Sequence, residues 1–270
     1  MGAIDVWGQM VTKRMASQPW METLIRWTGQ SAEMLIPSVE QTLGAMDAAD
    51  VDIMLLSAWV GPTGELIGND EVSAHIAQAP SRFRGLASVD ISKPMEAVQE
   101  IRNWVDGTNF VGVRVVPWLW DLPPNDRRYY PIYTVCCELG VPFCTQIGHT
   151  GPLMRSELGR LIPYLEDVLL DFPELKIVGG HVGFPWIDEL ISMTVKFPNF
   201  YVDTSAYTLN RLPESFVAYM KGLGRKRVMF GTNWPMITPG DSLSGLAGLG
   251  LDHETQDRFL NQTAKKVFNL

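Results

Sequence analysis

Cysteine is scarce in this chain, and its three copies exclude more than they offer. Cys136 and Cys137 are adjacent and Cys144 stands alone, which is neither a disulfide framework nor the spaced pair of a zinc site. A reducing compartment is expected. Positive charge is also short. Lys and Arg total 22 against 30 Asp and Glu, a formal charge of −8, so counter-ion release gives no gain on a nucleic acid and that partner class is disfavoured. Long apolar runs are missing, and none reaches the length that spans a bilayer. The opening Met1-Gly2-Ala3-Ile4-Asp5-Val6-Trp7 has no basic leader, and Val6 stands where a myristoylation signal carries Ser or Thr. The expectation is a soluble cytoplasmic protein with no membrane partner.

Apolar and aromatic residues are plentiful. Of 270 residues 46% are hydrophobic, enough for a sizeable core, and nine are tryptophan. Short β-branched runs recur at Ala3–Trp7, Val51–Trp59, Arg84–Asp90, Phe110–Val116, Val141–Ile147, Leu175–His181, Asn199–Thr204 and Arg227–Asn233. Segments with helical spacing of apolar residues lie between them, and a last helix is expected from about Glu254 to Phe268. Pro37, Pro94, Pro131 and Gly140 mark helix starts and a stop. Eight β-α units in strict alternation predict an α/β fold, a (β/α)8 TIM barrel in one domain over 1–270. Residues 8–36 are too long for a simple connection and are expected to form an insert, either a lid or a subunit contact. Met10, Met15, Trp20, Met21 and Trp27 in that insert suggest a homo- or hetero-oligomer, unless the segment packs on its own barrel.

In a closed barrel the chemistry lies at the carboxyl ends of the strands. Those ends carry Asp5 and Trp7, in phase on one face, then Trp59, Asp90, Arg114, Gln146, His149, His181, Asp203 and Asn233. His181 closes its strand after Gly179-Gly180, where a histidine has little packing role. His149 lies one step past its strand and has a structural alternative in its own loop. His75 and His253 read as helix or surface residues. Arg114 in an apolar strand needs a partner: Asp90 or Glu138 in a structural reading, a substrate carboxylate in a functional one. Asp5 and Asp203 are buried-strand carboxylates, either of which desolvation can tune into a general base. Trp7, Trp59, Trp118, Trp120, Trp186 and Trp234 all fall at or just past strand ends, so an aromatic-lined mouth is expected.

Several ordered motifs carry a resemblance over nearly the whole chain. They are Ile4-Asp5, Gly140-Val141-Pro142, Gly180-His181-Val182-Gly183, Tyr201-Val202-Asp203-Thr204-Ser205, Phe230-Gly231-Thr232-Asn233-Trp234-Pro235 and Ala264-Lys265-Lys266-Val267-Phe268. Together they resemble the amidohydrolase-related TIM barrels, in the subgroup of aminocarboxymuconate-semialdehyde decarboxylase-like enzymes. The resemblance implies a metal site built from a His-x-His on strand one, a histidine on strand five and an aspartate on strand eight, with a catalytic histidine on strand six. Here only His181 matches. Residues around Trp7 and Gly8 replace the first pair, Gln146 stands at the strand-five position and Asn233 at the strand-eight position.

Three outcomes follow from that pattern. A rebuilt site for one divalent ion (Zn, Mn or Fe) would use Asp5, His149 and His181. A metal-free site would run acid–base chemistry with His181 and Asp5 or Asp203. A catalytically silent barrel would support a partner subunit. The leading expectation is a hydrolase or carboxy-lyase acting on a small carboxylate-bearing organic molecule. His181 would handle the proton, Asp5 would orient it or activate water, and His149 would assist. Gln146 and Asn233 would donate to a developing oxyanion. Arg114 would hold the carboxylate, with Asp203 and the walls Trp7, Trp59 and Trp118 completing the substrate site. The resemblance also reaches barrels that bind two metals and hydroxylate substrates, so a subunit of a dinuclear-metal oxygenase is the alternative.

Overall fold

A computed structural model describes residues 2–31 and 33–270. Eight parallel strands follow one another in sequence order around a single sheet. They are β1 Ala3–Gly8, β2 Val51–Ser57, β3 Phe83–Ala87, β4 Phe110–Arg114, β5 Phe143–Gln146, β6 Ile177–Gly180, β7 Phe200–Asp203 and β8 Val228–Met229. The ring closes where Val6 N–H donates to Phe230 O at 3.1 Å and Gly8 pairs with Trp234. The expected (β/α)8 barrel is therefore present, and each strand overlaps its sequence run; β1 extends one residue past its run to Gly8, and β3 starts one residue earlier at Phe83. The other runs, and the far end of the β3 run, overestimate strand length because their apolar residues continue into the loops that wall the mouth.

Helices return between the strands, and their ends obey local chemistry. Ser38 caps Val39–Asp47 through a reciprocal capping box with Gln41. Pro94 opens Pro94–Trp104, and Gly140 ends Tyr130–Leu139 in the left-handed region at φ +67°. One element was not expected: after β2 the chain makes a hairpin, Trp59–Gly61 paired with Gly64–Ile67. Its turn contains Gly64 at φ +107°, a conformation that favours glycine.

The closing helix runs from His253 to Phe268 but loosens into a π turn over Arg258–Gln262. That turn frees the Phe259 carbonyl to accept Phe230 N–H at 3.0 Å, which ties the helix to the end of β8. Ala264, Val267 and Phe268 pack with Ile4, Val6, Leu55 and Met229 as a second apolar cluster beside the main core. Each large side chain buried there contributes about 1.5–3 kcal/mol.

The insert folds onto its own barrel. Met10, Met15 and Met21 are buried, Thr12 Oγ1 donates to Leu66 O at 2.6 Å, and Trp20 stacks on Trp59 at 6.3 Å. Most of the apolar surface that suggested an oligomer is thus covered within the chain. Trp27 and Met34 stay exposed. Among the described residues no helix is long and apolar enough to cross a membrane.

Candidate active site

The strand ends surround a cavity of about 100 Å³. For scale, an apolar cavity of about 150 Å³ takes up benzene, so this space limits its occupant to a small molecule. Trp20, Trp59 and Trp118 form one wall, with Met15 and Leu24 of the insert beside them. The polar lining is Gln9, Gln146, His149, His181, Tyr207 and Asn233. No lysine, arginine, aspartate or glutamate reaches it among the described residues.

His181 is one of two imidazoles in this lining. Its Nδ1 lies 2.7 Å from Ser205 Oγ, and that hydroxyl donates a short hydrogen bond to Asp203 Oδ1. Nε2 is left for the cavity. Its ring tilts over Trp7 at 4.6 Å, and the left-handed backbone at His181 and Val182, φ +75° and +61°, aims it there. A β-branched valine in that region is an outlier, and such strain gathers at functional sites. Gly180 makes the arrangement possible, because a Cβ at that position would lie 2.1 Å from the Trp7 ring. Burial, and then the Arg114 charge, pull the His181 pKa down to about 3, so the ring is neutral at physiological pH. Burial also lowers the His149 pKa, while its ring packs on Trp27 at 5.6 Å.

The two amides differ in what they leave free. Gln146 Oε1 accepts from Trp118 Nε1 at 2.5 Å and its Nε2 donates to His149 O at 3.1 Å, so both ends serve the wall. Asn233, at φ +72°, accepts from Gln9 Nε2 at 3.1 Å, and its own Nδ2 finds no acceptor among the described residues. Gln9 Oε1 is buried without a partner. Asn233 and Gln9 are thus the amides with free capacity.

Four expected site residues lie behind the cavity instead of on it. Trp7 is fully buried under His181. Arg114 is 1% exposed, lies 3.6 Å from the Trp7 ring and donates to Val6 O at 2.9 Å. It therefore reaches neither a ligand nor the two partners first considered: Glu138 pairs with Arg102, and Asp90 accepts from Ser92. Asp5 is locked by Trp7 N–H, Thr232 N–H and Thr232 Oγ1 at 3.0, 3.0 and 2.5 Å, and does not orient His181. Asp203 is fully buried and meets Ser205, not the substrate space.

The expected metal set does not assemble either. Among the described residues no three His, Cys, Asp or Glu side chains come together to hold an ion. Asp5 is committed to Thr232, and His149 is drawn to the rim by Trp27. Sequence reasoning missed Gln9, Ser205, Trp20 and Tyr207. Ser205 had a signal in the Asp-x-Ser spacing, which lets a carboxylate catch the N–H two residues on.

The amidohydrolase family model matches residues 62–270. The chain belongs to the amidohydrolase family. A gamma-resorcylate decarboxylase of Rhodococcus jostii is 27% identical over 219 residues, 62% of this chain and 64% of that enzyme. The match thus spans less than two thirds of the relative's length. Among solved structures, an uncharacterised TIM-barrel protein of Bordetella bronchiseptica superposes with a TM-score of 0.85 at 23% identity, over 100% of this chain and 99% of the other. A dihydroxybenzoic acid decarboxylase of Polaromonas sp., bound to manganese and 2-nitroresorcinol, gives 0.75 at 19% identity, over 100% and 97%. These structural likenesses speak for the fold. In this amidohydrolase barrel the lining offers two histidines and amides where manganese would need carboxylates and a converging ligand set. The donor set does not fit such an ion, and among the described residues no three such side chains converge as a dinuclear oxygenase site would need.

Proposed function

We propose that this protein is a carboxy-lyase that removes CO2 from a small, single-ring aromatic acid, with His181 handling the proton. The observation that carries the reading is the position of His181: it lines a cavity with no charged side chain among the described residues, while its Nδ1 is held by Ser205. The two curated relatives from Rhodococcus jostii and Polaromonas are decarboxylases of the same type.

The lining explains why decarboxylation fits better than hydrolysis. A carboxylate placed among Trp59, Trp118, Met15 and neutral His181 loses its water and meets no cation. Departure of neutral CO2 relieves that cost at the reacting carbon. The electron pair of the broken C–C bond stays on the ring and takes a proton from His181 Nε2, while Nδ1 takes one from Ser205, so the imidazole stays neutral. Asn233 Nδ2 is free to hold a ring hydroxyl, and the indoles hold the ring itself. Hydrolysis would need a base in place of Asn233, and a carboxamide cannot act as one.

The test is a panel of hydroxybenzoic acids in D2O, followed by CO2 release and by ring deuteration in NMR. We expect turnover of at least one acid, and a loss of about 10²–10⁴-fold in His181→Asn, a side chain that tolerates the same backbone region. Full activity in that variant would overturn the assignment of His181.

A further inference from the structure

We propose that the Ser205 hydroxyl is a two-way proton switch that couples the sealed carboxyl of Asp203 to the cavity face of His181. The proposal deepens the lyase reading of this site, and its spectroscopic arm is independent of that reading.

The geometry allows two states. Ser205 is fully buried, and among the described residues its Oγ has only Asp203 Oδ1 and His181 Nδ1 as partners. A hydroxyl has one proton to donate. With Asp203 ionised, Ser205 donates to Asp203 Oδ1 and must accept from His181 Nδ1–H. Nε2 then presents a lone pair to the ligand. With a proton on Asp203 Oδ1, both bonds reverse: Asp203 donates to Ser205, Ser205 donates to Nδ1, and Nε2 carries the hydrogen. His181 never has to become a cation, which its surroundings oppose.

The groups facing Asp203 keep both states within reach. Arg114 of β4 favours the carboxylate; Asp5 of β1 and the Cys144 thiol of β5 add no positive charge; His181 follows β6. Just past β8 the neighbour is Gly231, where a Cβ would stand 3.1 Å from Asp203 Oδ1. Burial raises Asp203, and the hydrogen bonds from the Ser205 hydroxyl and N–H, then the Arg114 charge, lower it, for a balance at about 6. In turnover the bookkeeping closes. The C–CO2 bond breaks, the ring carbon takes the Nε2 proton, Ser205 passes its proton to Nδ1, and Asp203 Oδ1 passes its own to Ser205. The substrate's negative charge ends on Asp203, beside Arg114. One proton from solvent, taken up by the same route after product leaves, resets the site.

The experiment is 15N NMR of histidine-labelled full-length protein between pH 5 and 8. The chain has four histidines, and His181→Asn identifies the signal. We expect His181 to change from the Nε2–H to the Nδ1–H tautomer as pH rises, without protonating twice. Ser205→Ala and Asp203→Asn should each hold one tautomer throughout, while Ser205→Thr keeps the change. With an active acid, Ser205→Ala should lower kcat about 10–100-fold at unchanged KM and flatten its pH profile, and Ser205→Thr should restore both. A single wild-type tautomer across the range, or a change that survives Ser205→Ala, overturns the switch. A switching wild type that decarboxylates nothing overturns the lyase reading and leaves the switch standing.

Discussion

Two regions separated by one indole ring are opposites. Behind Trp7 the barrel interior holds three ionisable groups, Asp5, Asp203 and Arg114, each almost wholly removed from water. In front of it the cavity, among the described residues, holds no charged side chain and is lined by indoles, amides, imidazoles, a phenol and apolar groups. In the interior the groups offset one another: Arg114 favours ionised Asp203, and both carboxylates favour its guanidinium. In the cavity nothing offsets a charge, so an entering anion is destabilised and a neutral product is not. The separation is also incomplete, because His181–Ser205–Asp203 crosses it. Charge stays behind the ring while a proton can pass.

The largest effect is expected from breaking the interior. Arg114→Met leaves two buried carboxyls without their cation, a loss of about 3–5 kcal/mol. Both acids then hold protons more tightly, so the loss should be larger at pH 8 than at pH 5. Denaturant unfolding at the two values checks this, and equal losses would mean that Arg114 acts only as packing. Gly180→Ala comes next. Its Cβ would displace the Trp7 ring, at a cost of about 1–3 kcal/mol. Because the ring supports His181, the variant should also lose activity beyond its loss of stability, as measured well below its melting temperature.

Why the sequence showed one region better than the other follows from what periodicity encodes. A period of two assigns Asp5, Trp7, Arg114 and Asp203 to strands of the barrel but not to a height along its axis. All four lie below the cavity floor. His149, His181, Gln146, Asn233, Trp59 and Trp118, which end or follow strands, do line the cavity. Gln9 and Ser205 lie just past strand ends, where backbone in the left-handed region at His181, Ala206 and Asn233 decides direction. No hydrophobic pattern records that. The eight strands were legible because each is an apolar run between turns. The hairpin Trp59–Ile67 was not, because the run Val51–Trp59 hides the break at Ala58.

A smaller effect tests how the interior titrates. Burial raises Asp5 from 3.8 to about 7. The folded state therefore binds its proton more tightly than the unfolded chain does. The stability this confers is full below about pH 4 and is lost as pH rises toward 7. Asp5→Asn removes that slope. Its melting temperature should exceed that of the wild type by a few degrees at pH 8 and show no such gain at pH 4. The reverse order would mean that Asp5 is ionised and stabilising in the fold.

Asn233→Asp should scarcely change stability, within about 0.5 kcal/mol, and for that reason it isolates the cavity. Asp tolerates the left-handed backbone as Asn does, and its carboxylate can accept the Gln9 amide proton that Asn233 Oδ1 accepts at 3.1 Å. What changes is one negative charge in a lining that has none. A neutral phenol, the product of decarboxylation, should bind both forms alike by calorimetry. The parent acid should bind the variant about tenfold more weakly, some 1.4 kcal/mol of unscreened repulsion. If instead the acid binds the variant as well as it binds the wild type, the cavity tolerates charge. The ring of Trp7 would then not be the boundary between the two regions.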